Sequence, residues 1–300
     1  MESTLQMLWH VFFPLPDSIL VKVMCLVSLG ALAYLGMAEV RGKHLQYSKF
    51  WNAKSMKSVS ITKVRLSGKV GMTIAYAPGL LAALASFAIS PSLDSARLDL
   101  LRCALALHFA KRIFELVFIH KLSSPMILDS ALVISINHSV SSATLIYTQY
   151  LSVSLPEPTV DLKYIGVGLF FVGLGGNFYH NYLLAKLGKE GSSDNGYKIP
   201  QGGMFSSVIC PHYLFEVIAY VGIAQTLYAL SFALGTMVYL AGRSWATKKW
   251  YLSKFESCPR DVKCMIPFFL LANAHFSLYM FGSLGCFYHK IVKHVCLETG

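Results

Sequence analysis

The sequence predicts an all-α fold, a bundle of helices embedded in a membrane. Two observations predict it. The composition is 55% hydrophobic and only 14% charged, with a mean hydropathy of +0.53, and long apolar segments recur throughout the 300 residues. An ordinary soluble domain is more polar than this. A membrane-crossing helix needs about 20 apolar residues, so the chain can form roughly six to eight such helices joined by short loops. Any chemistry is therefore expected inside the bundle or at its mouth.

Eight apolar segments are the expected helices. They cover residues 18–38, 70–90, 98–119, 127–151, 164–185, 206–224, 226–242 and 264–288. The first seven form the predicted transmembrane domain over residues 1–269. Residues 270–300 are an apolar C-terminal extension. The extension can be an eighth span, a hairpin or an artefact of the gene model, which an activity assay after deletion of residues 271–300 would separate.

The loops between the segments alternate in charge. The loop from Arg41 to Lys69 carries eight Lys and Arg residues without a single Asp or Glu, whereas the next loop offers only Asp94 and Arg97. Because basic loops stay on the cytosolic side, the pattern predicts a lumenal N-terminus and seven spans. Membrane orientation and a phosphorylated ligand thus explain the net charge of +11. The sequence contains no basic stripe with interleaved aromatic residues, so it gives no indication of nucleic-acid binding.

Several common catalytic patterns are missing from the sequence. The seven cysteines form no C-x-x-C pair, and H-E-x-x-H and G-x-S-x-G do not occur. We therefore expect no metal site and no disulfide framework. The run GVGLFFVGLGG from Gly166 to Gly176 departs from the dinucleotide fingerprint, since Phe171 occupies the third glycine position. Close helix packing by small residues is its predicted role.

The third segment is partly polar. His108, Lys111, Arg112 and Glu115 fall within two helical turns and can share one broad face. Two interpretations are open: the face turns inward toward a cavity, or the cations of a tilted helix end extend to the membrane surface.

Three polar sets follow in the second half of the chain. The first contains Asn177, His180 and Asn181, followed by a glycine-rich loop with Lys189, Tyr197 and Lys198. Asn177 and Asn181 stand at i and i+4, where their amides can contact the sugar and phosphate groups of a ligand or bond to another helix. The loop can bind an anionic nucleotide, although an ordinary solvated loop has the same composition.

The second set lies in YKIPQGGMFSSVICPHYLFE and is centred on Glu216. A carboxylate within a membrane helix costs about 2.5 kcal/mol or more, so we expect a use for it. Helical spacing places His212, Tyr213, Glu216 and Tyr220 on one wall. That wall can hydrogen-bond an amide or a ring nitrogen of a ligand, or it can contain a His and Glu pair that joins two helices.

The third set is in GRSWATKKWYLSKF and contains Arg243, Lys248, Lys249 and Tyr251. Its cations can meet a 2'-phosphate or a pyrophosphate through charge-assisted hydrogen bonds. The set is equally consistent with a role in which its positive charge only keeps this loop on the cytosolic side of the membrane.

These stretches carry a resemblance to a known family. YKIPQGGMFSSVICPHYLFE, RSWATKKWYLSKFESCP and CMIPF resemble the C-terminal signature of the steroid 5-alpha-reductase family, which includes polyprenol reductase and trans-2-enoyl-CoA reductases. GKH at residues 42–44 and HFAKRIFELVFIHKLS at residues 108–123 are also similar to that family. The resemblance covers about residues 20–269 and is strongest toward the plant members.

The resemblance implies a seven-helix protein of the endoplasmic reticulum membrane, with a site for NADPH facing the cytosol. The implied reaction reduces a carbon-carbon double bond conjugated to a carbonyl in a lipid. Family positions that contact or frame the cofactor are matched by Asn177, Tyr197, Glu216, Arg243 and Tyr251. At three further cofactor positions this sequence differs from the family. His212 stands where the steroid branch has Asn, Asn181 where it has Asp, and Lys198 where it has Arg. Tyr213, next to His212, is also expected to contact the cofactor.

The expected carbonyl donors differ from those of the steroid branch. Where that branch has a Glu in the second span and a Tyr in the third, this sequence has Tyr76 and Phe109. Tyr76 is the predicted catalytic donor, with the adjacent His108 as the alternative. The absence of the Glu argues against a 3-oxo-4-ene steroid as the substrate.

Two other functional classes remain consistent with the sequence. A membrane methyltransferase could bind S-adenosylmethionine through a similar His, Pro, Tyr and Glu pattern, and a protein of the same fold could bind lipid without catalysis. Binding of NADPH but not NADH would distinguish the reductase from both. The exact lipid substrate and the oligomeric state are left open by the sequence.

Overall fold

A computed structural model describes residues 10–50, 64–89, 95–120, 122, 124–190 and 198–266. Tyr197 of the glycine-rich loop lies outside the described residues, and so does the C-terminal extension. The statements below concern the described ranges.

Seven α-helices make up the described part of the chain. They are α1 (Ile19–Val40), α2 (Gly68–Ile89), α3 (Ala96–Phe114), α4 (Leu128–Leu151), α5 (Lys163–Glu190), α6 (Pro211–Gly222) and α7 (Leu227–Lys254). Each helix coincides with one predicted apolar segment, which confirms the all-α class. Among the described helices, α1 and α2 are long and apolar enough by themselves to cross a membrane.

Short irregular elements connect the helices and position the site. A 3₁₀ turn covers Ser48–Phe50 and another covers Gly203–Ser206, while a π-helical turn, Glu115–Ile119, continues α3. The strands β1 (Arg65–Leu66) and β2 (Met126–Ile127) form a small antiparallel pair. This pair holds the start of α2 beside the start of α4.

The ends of the helices follow local sequence signals. The hydroxyl oxygens of Ser18, Ser95 and Thr226 accept hydrogen bonds from backbone N–H groups in the first turns of α1, α3 and α7. Such N-caps satisfy donors that have no partner within the helix.

Helices α6 and α7 differ most in length from their predicted segments. Helix α6 begins at Pro211, later than predicted, since proline is well suited to the first helical position and the preceding chain forms a 3₁₀ turn. Its 12 residues are about 18 Å long, well short of a hydrocarbon core of about 30 Å. Helix α7 instead continues to Lys254, because no glycine or proline interrupts it after Gly242. Arg243 and Tyr251 therefore lie on the same continuous helix.

Glycines allow α5 to approach α6 closely, as predicted for the glycine-rich run. A Cβ atom on Gly173 would lie 2.4 Å from the backbone nitrogen of Ala219, and one on Gly166 would lie 2.4 Å from the carbonyl oxygen of Gly222. In α1 and α7, Gly36 and Gly242 meet in the same way. The small residues thus bring backbones together at the interfaces on which the site is built.

The core lies between the helices, and the outside of the bundle is apolar. Buried side chains from all seven described helices form the main hydrophobic cluster. Large apolar side chains nevertheless point outward, including Ile19, Phe118 and Tyr164, which are 81%, 71% and 77% exposed. A broad outer apolar surface of this kind is what a helix bundle presents to lipid.

We predict opposite stability effects for two glycines of α5. Gly173→Ala should destabilise the protein by about 1–3 kcal/mol, because the new methyl group meets the backbone of α6. Gly175→Ala should be neutral or stabilising by up to about 1 kcal/mol, since its Cβ position has no atom within 4 Å and alanine favours helix. Unfolding of the detergent-solubilised variants would measure both effects. Equal destabilisation by the two substitutions would contradict the described interface.

Candidate cofactor and substrate site

A large cavity opens between the helices, with a volume of about 720 Å³. This size is typical of small-molecule sites. A second cavity of about 140 Å³ adjoins it and shares lining residues with it, namely Tyr47, Ser48, Lys49, Leu184, Pro200, His212, Tyr213 and Tyr251. We treat the two as one site, called here the main cavity and the side cavity.

The residues that line the main cavity are grouped here by the elements that carry them, as an apolar half and a polar half. The apolar half is formed by α2, α4 and the segment before α4, through Met72, Leu122, Met126, Val133 and Ile134. The polar half is formed by the first 3₁₀ turn, the chain before α6, and helices α6 and α7. Its members are Lys49, Lys198, His212, Tyr213, Glu216 and Tyr251.

Most of the site residues predicted from the sequence meet in this cavity. Its lining includes Tyr76, Asn181, Lys198, His212, Tyr213, Glu216 and Tyr251. Arg243 borders the side cavity. His108 and Asn177 border neither cavity, and Tyr197 is outside the described residues.

Glu216 forms a buried ion pair with α3. The guanidinium of Arg112 donates to its Oε2 atom, and the Arg112 and Glu216 side chains are only 11% and 12% exposed. Arg112 also lies 3.7 Å from Glu115, which accepts a hydrogen bond of 3.1 Å from Lys111. Two cations thus compensate two carboxylates. The polar face of the third segment therefore turns inward. This agrees with the first of the two interpretations of the sequence and excludes the second, in which the cations extend to the membrane surface.

The two amides of α5 have different surroundings. Asn181 donates to both carboxylate oxygens of Glu115, at 3.4 and 3.3 Å, and also borders the main cavity. Asn177 lies one turn earlier, where it accepts a hydrogen bond from Lys111 and donates to the carbonyl oxygen of His212 at 2.7 Å. Asn177 therefore fixes the start of α6, while Asn181 remains at the cavity wall.

His180 joins the same region through its two ring nitrogens. Its Nδ1 atom is 2.7 Å from the carbonyl oxygen of Gly176, and its Nε2 atom accepts a hydrogen bond of 3.1 Å from the backbone of Met204. The carbonyl can only accept, so Nδ1 carries the hydrogen. Both ring nitrogens of His180 therefore form hydrogen bonds that hold the second 3₁₀ turn against α5.

Tyr76 reaches the cavity from α2, two residues before the helix-distorting Pro78. The guanidinium carbon of Arg112 is 5.8 Å from the centre of its ring. On the other side, the ring of His138 stacks on it with centroids 5.5 Å apart. The His138 Nδ1 atom lies 3.0 Å from the carbonyl oxygen of Ala75, which fixes the ring beside Tyr76. The phenol is thus held at the junction of the two halves.

His108 lies behind this wall. It is 4% exposed, and its Nε2 atom is 3.4 Å from the hydroxyl of Tyr220. The ring of Phe109 meets Gly79 closely and contacts the His138 ring edge-on. Phe109 thus separates α2 from α3 without offering a polar group.

Arg243 forms a buried ion pair with Glu39. Its Nη1 atom donates to Glu39 Oε1 at 2.6 Å, with both side chains at most 2% exposed. The other carboxylate oxygen of Glu39 lies 2.6 Å from His44 Nδ1. The rings of Tyr47 and Phe50 flank the guanidinium, at 4.4 and 4.2 Å from its central carbon. The GKH segment is therefore fixed onto α7 by this pair.

Sequence reasoning missed Glu39, Lys49, Asn137 and His138 at the site. Lys49, Asn137 and His138 line the main cavity, and Glu39 neutralises Arg243. One signal could have found Glu39, because it is a carboxylate at the end of an apolar segment, beside GKH. Asn137 and His138 offered a similar signal as adjacent polar residues in the fourth segment.

The donor set fits a phosphorylated nucleotide with a carboxamide. Cations and ring faces from Lys49, Lys198 and Tyr251 border the polar half, and Glu216 presents a carboxylate there. The Nδ1 atom of His212 is buried and has no hydrogen-bond partner in the described part of the chain. Since a buried polar atom without a partner is costly, it is suited to a ligand atom.

Comparison with known proteins points to one family. The family model described as 3-oxo-5-alpha-steroid 4-dehydrogenase matches residues 131–270. Human 3-oxo-5-alpha-steroid 4-dehydrogenase 1 is 29% identical over 250 residues, which are 80% of this chain and 95% of that protein. The type 2 human protein is 38% identical over 36% of this chain and 43% of its own length. The steroid 5-alpha-reductase DET2 of Gossypium hirsutum is 40% identical over 34% of this chain and 41% of its own length.

The fold and the matched relatives define the class first. The chain is a helical oxidoreductase of the kind that acts on the CH–CH group of donors, as its relatives do, and two of its described helices are apolar enough to cross a membrane. The comparisons confirm the predicted resemblance to the 3-oxo-5-alpha-steroid 4-dehydrogenase family, whose model matches residues 131–270.

We predict that the Arg243 pair contributes strongly to stability. Glu39→Gln should cost about 3–5 kcal/mol, because it leaves a buried guanidinium without its counter-charge. Asp17→Asn should cost at most about 1 kcal/mol, since the Asp17 side chain in its pair with Lys22 is 97% exposed. Denaturant or thermal unfolding in detergent would compare the two variants.

The double variant Glu39→Gln, Arg243→Met serves as the control for this prediction. It removes both charges and should recover part of the loss, since no uncompensated charge remains. Arg243→Met is also measured alone. If the double variant lost as much unfolding free energy as the two single variants added together, the residues would not be coupled.

Proposed function

We propose that the protein uses NADPH to reduce a carbon-carbon double bond conjugated to a carbonyl in a lipid substrate, of steroid or 2-enoyl type. One observation carries the proposal: a single cavity joins an apolar half beside Tyr76 to a polar half with cations, aromatic rings and Glu216. Such a cavity can accept an apolar substrate and a charged nucleotide side by side. The family resemblance supports the same reaction class.

The polar half supplies the groups that a nicotinamide nucleotide requires. Oε2 of Glu216 is held by Arg112, and no hydrogen bond within the described residues ends on its Oε1 atom. We assign Oε1 to the amide N–H of the nicotinamide carboxamide. His212 and Asn181 lie on the same part of the lining and can bond to the carboxamide oxygen or the ribose hydroxyls. The ion pair with Arg112 makes Glu216 a positioning residue, separate from proton transfer.

When bound, NADPH supplies the hydride that the reaction consumes. The protein must hold the alkene in the apolar half, exclude water, and stabilise negative charge on the carbonyl oxygen. Tyr76 can do the last of these, because its phenol O–H is a hydrogen-bond donor at the junction of the two halves. The nearby Arg112 guanidinium adds favourable electrostatics, since it lies over the Tyr76 ring and can offset developing negative charge.

The structure around His108 favours Tyr76 over His108 in this role. Tyr76 borders the main cavity, whereas His108 is 4% exposed and its Nε2 atom is engaged with Tyr220. Direct contact with a substrate requires access to the cavity. We therefore assign Tyr76 to the carbonyl and His108 to the support of α6.

We further propose that seven segments cross the endoplasmic reticulum membrane, α6 doing so together with the chain that precedes it, and that the polar half of the cavity faces the cytosol. The basic loops after α1, α3, α5 and α7 support this orientation. Lys49 and Lys198, which line the polar half, belong to two of those connections. The short helix α6 reaches only part of the way, so the chain before it can form the cavity mouth.

We predict that Tyr76→Phe will lower turnover roughly 100- to 1,000-fold while NADPH binding is retained, as expected when one donor to a developing oxyanion is removed. The assay would follow NADPH oxidation by purified protein with a panel of enones, including a 3-oxo-4-ene steroid and a trans-2-enoyl-CoA. Tyr34→Phe is the matched control, because Tyr34 is 68% exposed on α1.

The outcomes of this experiment separate the possible functions. Near-normal turnover by Tyr76→Phe would reject its role at the carbonyl. A wild-type protein that binds neither NADPH nor NADH would reject the reductase and favour a lipid-binding member of the fold. Binding of S-adenosylmethionine in place of NADPH would favour a methyltransferase.

A further inference from the structure

Lys49 is a cation at the polar half that has no acidic partner among the residues that the structure describes. It lies in the 3₁₀ turn Ser48–Phe50 and lines both the main cavity and the side cavity. Its ammonium group is 5.3 Å from the centre of the Tyr251 ring and 5.8 Å from that of Phe50. No hydrogen bond or salt bridge to Lys49 occurs within the described residues.

The other charges close to Lys49 compensate one another. Arg243 is paired with Glu39 at 2.6 Å, and the same Glu39 also contacts His44. The pair carries no net charge, so Lys49 supplies the uncompensated positive charge beside the side cavity. Leaving an ammonium ion without a partner in such a place is costly unless a ligand provides the counter-charge.

The side cavity has the size and lining expected for one anionic group. Its volume of about 140 Å³ is a fraction of that of the main cavity. Besides Lys49, it is bordered by Ser48, His212, Tyr213, Arg243 and Tyr251, which offer N–H and O–H donors, and it is bordered by no carboxylate among the described residues.

We propose that Lys49 binds a phosphate group of the nucleotide, with the side cavity as the phosphate pocket. This inference rests on the proposed function, and it moves the main phosphate contact from Arg243, where the sequence suggested it, to Lys49. Arg243 then acts as a positioning residue. Paired with Glu39 and flanked by Tyr47 and Phe50, it holds the turn that carries Lys49.

Because Lys49 can lose its proton, the proposal predicts that nucleotide affinity depends on pH. Burial lowers the pKa of Lys49 to about 8, the nearby Arg243 also lowers it, and Cys210 and Glu39 raise it. The other titratable groups that line the side cavity with it are Tyr47, His212, Tyr213 and Tyr251. The ammonium form, which attracts phosphate, therefore predominates below pH 8 and is lost above it. Nucleotide affinity should fall as the pH rises from about 7.5 to 9.5, with proton uptake on binding.

Equilibrium binding of NADPH to the full-length, detergent-solubilised protein tests the proposal. Lys49→Met should raise the Kd for NADPH roughly 10- to 100-fold at pH 7, the range for a lost hydrogen bond to a charged group. Lys49→Arg should keep most of the affinity and remove its fall between about pH 7.5 and 9.5, because arginine does not titrate there. Lys69→Met is the matched control, because Lys69 is exposed and borders neither cavity.

The results distinguish this proposal from the proposed function. If Lys49→Met weakens NADPH alone, the bound phosphate is the 2'-phosphate; if it weakens NADPH and NADH equally, the bound group is the pyrophosphate. Either result supports the proposal. Unchanged Kd values in Lys49→Met, for a wild-type protein that binds NADPH, would overturn it and leave the proposed function standing. No binding of NADPH by the wild-type protein would instead reject the proposed function.

Discussion

Compensation of buried charge is the constraint on which this structure depends. An ionised side chain inside an apolar bundle is stable only when a partner offsets its charge. Here Arg112 and Lys111 meet Glu115 and Glu216, and this cluster joins α3 to α5 and α6. A second pair, Arg243 with Glu39, joins α7 to the end of α1. Both lie around the polar half of one cavity.

The same constraint indicates where ligands belong. Groups that the protein satisfies internally, such as Asn177, His180 and Arg243, hold helices and turns in place. Groups that border the cavity with unmet hydrogen-bonding capacity, such as Lys49 and the Nδ1 atom of His212, are suited to contact a ligand. Close helix contacts at glycines bring these two kinds of residue within reach of each other.

Much of the fold was predictable from the sequence, because apolar segments of helical length and alternating loop charge are local signals. All seven described helices fall on predicted segments. The boundaries of α6 and α7 differed, since Pro211 and an uninterrupted helical sequence outweighed the change in polarity. Most of the predicted site residues line the cavity, yet their pairing could not be predicted. Helical spacing places Arg112 and Glu216 each on a face, but which faces meet depends on helix packing between distant segments.

The central claim is that one cavity holds nucleotide and substrate together, so that reducing equivalents pass directly between them. Mass spectrometry of the product formed with NADPH deuterated at C4 of the nicotinamide, using both epimers, tests it most directly. The account predicts that one epimer transfers deuterium to the carbon β to the carbonyl of the reduced lipid. A reduced product that carries no deuterium from either epimer would contradict it.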